Sequence, residues 1–265
     1  MHWILQEFED TPRLAAALDR LGIRYSMHKV VPFVGDLIPP PEITDPNSVI
    51  MFGSYTLWRN AEVHGYRPGV FKLRPFVFEE PWQPFMLNGP DALFLRVEDV
   101  PAKLRGEATW FVRPVSDNKE YPGRVTATSE VRDIAEKVMA LKEDEIPRGS
   151  LRHDTMLMLT RPARIYKEWR LWIVREEIVT YSIYKEGSRI IYRSEIDDDV
   201  REFAKRLVNL NPDFAPAYVM DICRAESGLH LLETNCINAA GFYDADLTKL
   251  VAAIDSMAID QSPLR

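Results

Sequence analysis

The chain has 265 residues, of which 46% are hydrophobic and 28% charged, and its formal net charge is −7. This composition predicts a soluble globular protein, and the acidic excess argues against a sequence-independent grip on nucleic acid or an anionic membrane. Two cysteines cannot build a disulfide framework, and the absence of a long apolar run or a secretory leader predicts no membrane span and a cytoplasmic protein.

Residues 1–105 predict a small α/β domain. HWILQ is typical of a strand, and TPRLAAALDRLG of a helix with Thr11 as its N-cap, Pro12 in its first turn and Gly22 at its end. RYSMHKVV and SVIMFGS are predicted to be strands, and YTLWRNAEVHG a second helix. Alternating strands and helices favour a parallel sheet. The proline-rich residues 67–88 are expected to form a crossing loop with one short strand.

Residues 106–265 predict a second domain with more regular elements. ATWFVRPV and RVTATS form a hairpin, and Ser129 caps the helix that follows it. DTMLMLT, EWRLWIV, IVTYSIY and SRIIYRS are predicted strands, and a helix opens near Asp197 with acidic residues that suit its positive end. AYVMDICRA and LHLLETNCI form a closing hairpin with a tip at Glu226–Gly228, and DADLTKLVAAIDSMA forms the last helix.

The closing hairpin carries polar side chains among apolar neighbours. With the tip at Glu226–Gly228, Asp221 lies opposite Glu233, and Asn235 shares the face of Glu233 because strand side chains alternate. Facing carboxylates are destabilising unless a cation offsets them. Two carboxylates and an amide oxygen are hard ligands of the kind that Mg²⁺ takes. The alternative is that an arginine or lysine of a neighbouring strand neutralises the pair.

Three positively charged residues lie at positions where charged side chains are uncommon. Arg113 ends an apolar strand, Lys119 lies in the polar loop SDNKEYPG, and Arg170 shares a strand face with Trp172. A structural ion pair or a cation–π contact would explain each one alone. Together with a carboxylate–asparagine set they suggest a polyphosphate held between cations and a metal ion. The sequence has neither a P-loop nor a dinucleotide-binding glycine fingerprint.

The order of these motifs resembles the ATP-grasp superfamily, and in particular its compact clade related to ribosomal-protein glutamate ligases. The motifs are a strand cation before Pro114, a polar loop with Lys119, the Glu-Trp-Arg strand, and an Asp followed by Glu-x-Asn on a closing hairpin. The resemblance covers roughly residues 105–265. It implies an α+β ATP-grasp fold, with two α+β lobes that hold the nucleotide, preceded by a small α/β domain at residues 1–105.

The resemblance also implies roles for individual side chains. Carried over by position, these are Arg113 at the α- and β-phosphates, Lys119 in the loop that covers the phosphates, Leu159 and Thr160 at the hinge that meets adenine, Arg170 at the γ-phosphate or acyl phosphate, and Asp221, Glu233 and Asn235 as Mg²⁺ ligands. The predicted hinge MLMLTRPARI lacks the acidic residue that commonly binds the ribose, and the covering loop is not glycine-rich.

The function implied by the resemblance is that of an ATP- and Mg²⁺-dependent carboxylate–amine ligase that forms an acyl phosphate, with a small-molecule or peptide carboxylate and an amine as substrates. Asn238, Lys185, Arg189 and Arg193 are candidates to reach the acceptor, with a solvated face as the alternative for each. Two other functions remain open at this point: a phosphotransferase on the same fold, and a non-catalytic nucleotide-binding module.

Overall fold

The structure is a computed structural model that describes residues 1–32, 34–87, 89, 91–116, 120–147 and 149–261. The chain divides into two units, neither of which is continuous in sequence. The first unit contains Met1–Arg74, Tyr166–Arg224 and the described part of Leu231–Arg265, and the second contains Pro75–Ile165 and Ala225–His230. The boundary predicted near residue 105 divides the sequence in another way and stays a prediction. Among the described residues, no helix is both long and apolar enough to cross a membrane.

The first unit begins with a five-stranded sheet in the order β3-β2-β1-β4-β5. Its elements are β1 His2–Gln6, α1 Thr11–Leu21, β2 Arg24–Val30, β3 Leu37–Ile38, β4 Val49–Phe52, α2 Tyr55–His64 and β5 Pro68–Gly69. Strand β1 pairs in parallel with both β2 and β4. The parallel sheet predicted from the alternation of strands and helices is therefore confirmed.

The start of helix α1 lies one residue earlier than predicted. Asp10 holds the N-cap position, without a side-chain capping bond, and Thr11 is the first helical residue. The Thr11 hydroxyl donates to the carbonyl of Gln6 at 2.7 Å and accepts from the Phe8 N–H at 3.0 Å, so it ties the helix to the end of β1. The predicted end is correct: Gly22 is left-handed with φ 65°, a conformation that suits glycine because it has no Cβ.

The second unit contains a four-stranded antiparallel sheet in the order β6-β9-β7-β8. Its elements are β6 Leu93–Arg96, α3 Val100–Lys103, β7 Thr109–Pro114, β8 Arg124–Ala127, α4 Thr128–Met139 and β9 Met156–Thr160. The predicted β7–β8 hairpin is confirmed. Helix α4 starts at Thr128, with Ala127 at the N-cap position, so the predicted cap Ser129 already lies inside the helix. The buried Thr128 hydroxyl accepts from Trp110 Nε1 at 3.0 Å.

The first unit also contains most of a second five-stranded sheet, in the order β12-β11-β10-β13-β14. Its elements, with the helices that accompany them, are β10 Ile165–Val174, β11 Glu177–Glu186, β12 Arg189–Arg193, α5 Asp198–Leu210, β13 Ala217–Ala225, β14 Gly228–Asn235 and α6 Leu247–Gln261. The closing hairpin is present as predicted, with its turn at Glu226 and Ser227 and with Gly228 already in β14.

One large apolar core joins the two ends of the first unit. It contains Trp3 of β1, Trp172 of β10, Val219 of β13 and Ile254 of α6, all fully buried. Trp3 also donates from Nε1 to Asp255 Oδ1 at 2.9 Å. The N-terminal sheet and the last helix therefore share a single hydrophobic interior, which positions the segment that follows β14 against the ends of β1 and β4.

Candidate functional site

The three residues predicted to hold a metal lie together in the first unit. Asn235 on β14 donates from Nδ2 to Glu233 Oε1 at 3.0 Å and to Asp221 Oδ2 at 3.5 Å. Asp221 is fully buried and Asn235 is buried, whereas Glu233 is half-buried. The grouping inferred from strand alternation is therefore present, and the role of the three residues as ligands stays a prediction.

Arg170 on β10 forms a bidentate pair with Asp221 on the neighbouring strand β13. Its Nε donates to Oδ1 at 2.8 Å and its Nη2 to Oδ2 at 2.7 Å, and both side chains are buried. Its Nη1 reaches the carbonyl of Gly241 at 3.4 Å. An arginine from a neighbouring strand thus neutralises one carboxylate, as the alternative interpretation expected. The predicted phosphate contact of Arg170 stays a prediction, and a guanidinium has five N–H donors with which to make more than one contact.

The electrostatic environment of Asp221 is unfavourable for its negative charge. Burial raises its pKa to about 6, against the opposing effect of Arg170, and the nearby carboxylates of Glu233 and Glu168 raise it further. Taking an ionised group out of water favours its neutral form. The paired arginine therefore does not compensate fully for burial and like charge, and a further cation at this point would be electrostatically favourable.

Glu168 and Tyr184 extend this polar cluster along β10 and β11. The buried Glu168 carboxylate accepts from the Tyr184 hydroxyl at 2.7 Å and from Lys185 Nζ at 2.7 Å. Burial raises the pKa of Tyr184 well above its ordinary value, and the charges of Asp221 and Glu168 act in the same direction. The phenol therefore stays protonated and serves as a hydrogen-bond donor. Lys185, a candidate for acceptor binding, has a fixed carboxylate partner.

Three tyrosines stack beside Arg170. The ring of Tyr243 lies 4.9 Å from that of Tyr184 and 5.0 Å from that of Tyr192, and the Arg170 guanidinium lies 4.8 Å from the centre of the Tyr243 ring. Tyr243 has a positive φ of 48°, which is uncommon for a residue with a side chain. Stacking and cation–π contact stabilise the segment after β14 in this conformation.

The predicted nucleotide-binding residues that the structure describes lie in the second unit. Arg113, near the end of β7, has its guanidinium 5.8 Å from the centre of the Phe76 ring. Leu159 is fully buried, and its strand β9 is paired on both sides at this residue, with Leu93 and with Val112. The backbone of Leu159 therefore pairs with a neighbouring strand on each side.

Thr160 differs from Leu159 because the described pairing with β6 stops before it, while the pairing with β7 continues at Phe111. Its buried Oγ1 has no hydrogen-bond partner in the part of the chain that the structure describes. Of the two predicted hinge residues, Thr160 thus retains a side-chain hydroxyl for a ligand. Lys119, predicted to cover the phosphates, lies outside the described residues.

Asn238 has a structural position that the sequence interpretation missed. It is only 1% exposed. Its Nδ2 donates to the Met51 carbonyl at 2.6 Å, and its Oδ1 accepts from the Phe71 N–H at 2.8 Å. Its own carbonyl accepts from the Gly53 N–H at 2.8 Å. The signal in the sequence was an amide inside the apolar stretch CINAAG, since a buried amide requires partners.

A cavity of about 310 Å³ in the first unit was also not predicted. It lies where β1 and β4 end, and its walls come from residues 5–14, 52–55 and 238–242. Ligands of open α/β sheets bind outside the carboxyl ends of the strands. The cavity is therefore a second candidate site, apart from the metal and nucleotide residues.

The fold and the buried carboxylate–amide cluster define the class of the protein: it belongs to the ATP-grasp proteins. Residues 90–254 match the model of an ATP-grasp domain family, namely family 3 of the R-2-K clade. The chain belongs to this family. The resemblance inferred from the motifs and the ATP-grasp fold are thereby confirmed.

Three solved structures show the likeness of fold. D-cycloserine synthetase DcsG has a TM-score of 0.65 at 12% identity, over 97% of this chain and 100% of that chain. D-alanine–D-alanine ligase from Bacillus anthracis complexed with ATP has a TM-score of 0.57 at 11% identity, over 98% of this chain and 97% of that chain. ATP-grasp ligase PsnB complexed with precursor peptide PsnA2 and AMPPNP has a TM-score of 0.50 at 15% identity, over 97% of each chain. At these identities the likeness is one of fold. No curated protein matches the chain by sequence.

Proposed function

We propose that the protein joins a carboxylate to an amine in an ATP- and Mg²⁺-dependent reaction that passes through an acyl phosphate. The observation that carries this proposal is the cluster of Asp221, Glu233 and Asn235 beside Arg170, in a chain of the ATP-grasp family. A carboxylate oxygen of the first substrate attacks the γ-phosphorus of ATP and ADP leaves. The neutral amine then attacks the acyl carbon, the bond from that carbon to the phosphate oxygen breaks, and inorganic phosphate leaves with the proton that the nitrogen loses.

The donor set fits a magnesium ion. Asp221 and Glu233 offer carboxylate oxygens, Asn235 offers an amide oxygen, and the surroundings of Asp221 disfavour its uncompensated charge. Oxygen ligands of this kind, completed by water and phosphate oxygens, are those that Mg²⁺ takes. When bound there, the ion would supply positive charge against the phosphate oxygens.

The protein's own cations supply the other part of the electrostatics. Arg113 and Lys119 are proposed to neutralise phosphate oxygens and Arg170 the transferring phosphoryl group, because positioning and charge neutralisation supply most of the catalysis of phosphoryl transfer. The pair with Asp221 fixes the Arg170 guanidinium, so its charge is already oriented before substrates bind. Thr160 is proposed to contact the nucleoside through its side-chain hydroxyl, which has no hydrogen-bond partner among the described residues.

The substrates are proposed to be a small-molecule or peptide carboxylate and an amine. Among proteins of this fold, PsnB is solved with a precursor peptide and D-alanine–D-alanine ligase with ATP. Both peptide and amino acid substrates therefore belong in the first screen.

The test is ADP release from purified protein, with carboxylates crossed against amines, and with amide formation followed by mass spectrometry. Glu233→Gln keeps the shape of the side chain and removes its charge, so turnover should fall at least tenfold and the Mg²⁺ concentration for half-maximal rate should rise. Glu226→Gln makes the same change in the exposed turn of the same hairpin, and should leave the turnover and the Mg²⁺ concentration for half-maximal rate unchanged. A stable phosphate ester instead of an amide would identify a phosphotransferase, and unchanged activity of Glu233→Gln would refute the metal assignment.

A further inference from the structure

The tyrosine that follows the closing hairpin lies against the arginine of the candidate site. We propose that Tyr243 is a positioning residue, whose ring keeps the Arg170 guanidinium oriented while a bound cation competes for Asp221. The use of an oriented Arg170 in phosphoryl transfer rests on the proposed function, whereas the contact between the two side chains is present in the structure.

The first argument is that Arg170 shares its carboxylate partner. Its Nε and Nη2 donate to the two carboxylate oxygens of Asp221, at 2.8 and 2.7 Å. Asp221 is also one of the residues proposed to hold Mg²⁺. A cation at these oxygens would compete with the guanidinium for the same negative charge, so the ion pair would weaken in the loaded site. Arg170 would then depend on contacts for which the cation does not compete.

The second argument is that the segment after β14 supplies such contacts. The centre of the Tyr243 ring lies 4.8 Å from the guanidinium carbon of Arg170. A cation beside an aromatic ring is attracted by the ring quadrupole, and this attraction does not involve the carboxylate of Asp221. The Gly241 carbonyl accepts from Arg170 Nη1 at 3.4 Å. Two residues of one short segment thus contact the guanidinium.

The third argument is the backbone of Tyr243. Its φ of 48° lies in the left-handed region, which is uncommon for a residue with a side chain. Residues in such conformations persist where their surroundings hold them, and they cluster at functional sites. The Tyr243 carbonyl accepts from Arg13 Nη1, and the N–H of Asp244 donates to Ser182 Oγ at 3.2 Å. These bonds hold the segment in the conformation that places the ring beside Arg170.

The fourth argument is that the ring itself is held by its neighbours. The centre of the Tyr243 ring lies 4.9 Å from that of Tyr184 and 5.0 Å from that of Tyr192, and both pairs are stacked. The Tyr184 hydroxyl donates to Glu168, which fixes the first of these neighbours. The Tyr243 hydroxyl makes no hydrogen bond with any residue that the structure describes. The ring, and not the hydroxyl, is therefore the group that positions Arg170.

NMR of the Arg170 side chain tests the positioning without an assay of turnover. A guanidinium that cannot rotate gives separate signals for its two Nη groups, whereas a rotating one gives an averaged signal. The Arg170 signals are identified by their absence from Arg170→Lys. The unmodified protein and Tyr243→Phe should give separate signals, both without ligand and with Mg²⁺ and AMPPNP. In Tyr243→Leu the signals should average when Mg²⁺ and AMPPNP are present.

Two further variants control for fold and for specificity. Tyr243→Asn also removes the ring, and asparagine tolerates a positive φ, so this variant keeps the test valid if Tyr243→Leu does not fold. The matched control is Tyr181→Leu. The Tyr181 ring lies 4.8 Å from the Arg201 guanidinium. Because Ser182 pairs with Arg170, its neighbour Tyr181 lies on the opposite face of the sheet. Loss of the Tyr181 ring should leave the Arg170 signals unchanged.

The kinetic test separates kcat from the KM for ATP. Tyr243→Leu and Tyr243→Asn should lower kcat roughly tenfold or more and change the KM for ATP less than about twofold, because Arg170 is proposed to act on the transferring phosphoryl group. Tyr243→Phe retains the ring and should retain most of the kcat. A loss of kcat in Tyr243→Phe as large as that in Tyr243→Leu would overturn the ring as the positioning group.

The outcomes separate this inference from the proposed function. Separate Arg170 signals in both folded variants without the ring, with Mg²⁺ and AMPPNP present, would overturn the role of Tyr243, since Asp221 would then hold Arg170 alone. Averaged signals in the unmodified protein would overturn it as well. Amide formation with an unchanged kcat in both variants would overturn this inference and leave the ligase proposal intact. If no substrate pair releases ADP, the ligase proposal fails, and the NMR comparison alone decides the role of Tyr243.

Discussion

Replacement of Asn238 by alanine is expected to destabilise the protein by about 2–6 kcal/mol. The substitution removes the amide group that donates to the Met51 carbonyl and accepts from the Phe71 N–H, so both backbone groups lose their partner. Both groups contact a side chain that is 1% exposed, so water does not readily replace the lost amide. Each buried group left unsatisfied costs ~1–3 kcal/mol, which gives the expected range for two groups. The backbone bond from the Gly53 N–H to the Asn238 carbonyl remains.

The measurement is urea unfolding followed by tryptophan fluorescence and by circular dichroism. A lower midpoint with an unchanged slope would report lost stability of the same folded state. A loss below about 1 kcal/mol would refute the reasoning, since it would mean that water or a small backbone shift satisfies both groups.

The aspartate variant adds a pH dependence with a defined sign. Asn238→Asp retains an acceptor for Phe71, but its ionised form cannot donate to the Met51 carbonyl and places a charge in a buried site. The folded-state pKa of the new carboxyl should therefore lie above its unfolded value of about 3.9. Because the folded state then binds more protons, stability should rise as the pH falls from about 7 to about 5, by up to ~1.4 kcal/mol per unit.

The matched control is Asn209→Asp, which makes the same change on the exposed surface of α5. It should change stability by less than about 0.5 kcal/mol, with little additional pH dependence. Equal pH profiles for the two aspartate variants would show that the environment of Asn238 is not the buried one described here.

Three further predictions concern buried positions. Arg170→Ala should lower the urea-unfolding free energy by about 3–5 kcal/mol, because it leaves the Asp221 carboxylate buried without its partner; a negligible loss would show that water reaches the pair. Gly53→Ala should lower the unfolding free energy by roughly 1–3 kcal/mol, because a Cβ at Gly53 would lie 2.6 Å from Leu57 Cδ2, and a melting temperature equal to that of the unmodified protein would contradict this. Burial raises the pKa of the Cys223 thiol to about 12. Near pH 8 this thiol should therefore react with a thiol reagent roughly a thousandfold more slowly in the folded protein than in urea. Comparable rates, measured by mass spectrometry, would refute the burial of Cys223.

Short-range sequence patterns predicted most helices and strands and the grouping of the candidate metal ligands. The end of α1 at Gly22 follows from the left-handed conformation that closes a helix. The grouping of Glu233 and Asn235 follows from strand alternation, which needs no knowledge of the rest of the fold. Strand β6 was missed because its four residues are mostly exposed and do not alternate, so only the pairing with β9 makes it a strand.

Non-local contacts account for what the sequence did not predict. Asp221 lies 51 residues from Arg170, and the two meet only because β10 and β13 are neighbours in the sheet. The contact between Asn238 and Met51 spans 187 residues. The cavity depends on three separate segments in the same way. Such contacts follow from strand order, which short-range patterns do not specify.

The contact between Trp3 and Asp255 has a consequence for synthesis of the chain, since 252 residues separate the two partners. At a translation rate of roughly 5–20 residues per second, β1 leaves the ribosome about 13–50 seconds before the helix that covers it. During this interval the apolar side chains of β1 and β4 that belong to the shared core lack α6, their last covering element. Expression of residues 1–74 without the C-terminal part should therefore give an aggregating fragment, and slower elongation should prolong the need of the nascent chain for chaperones.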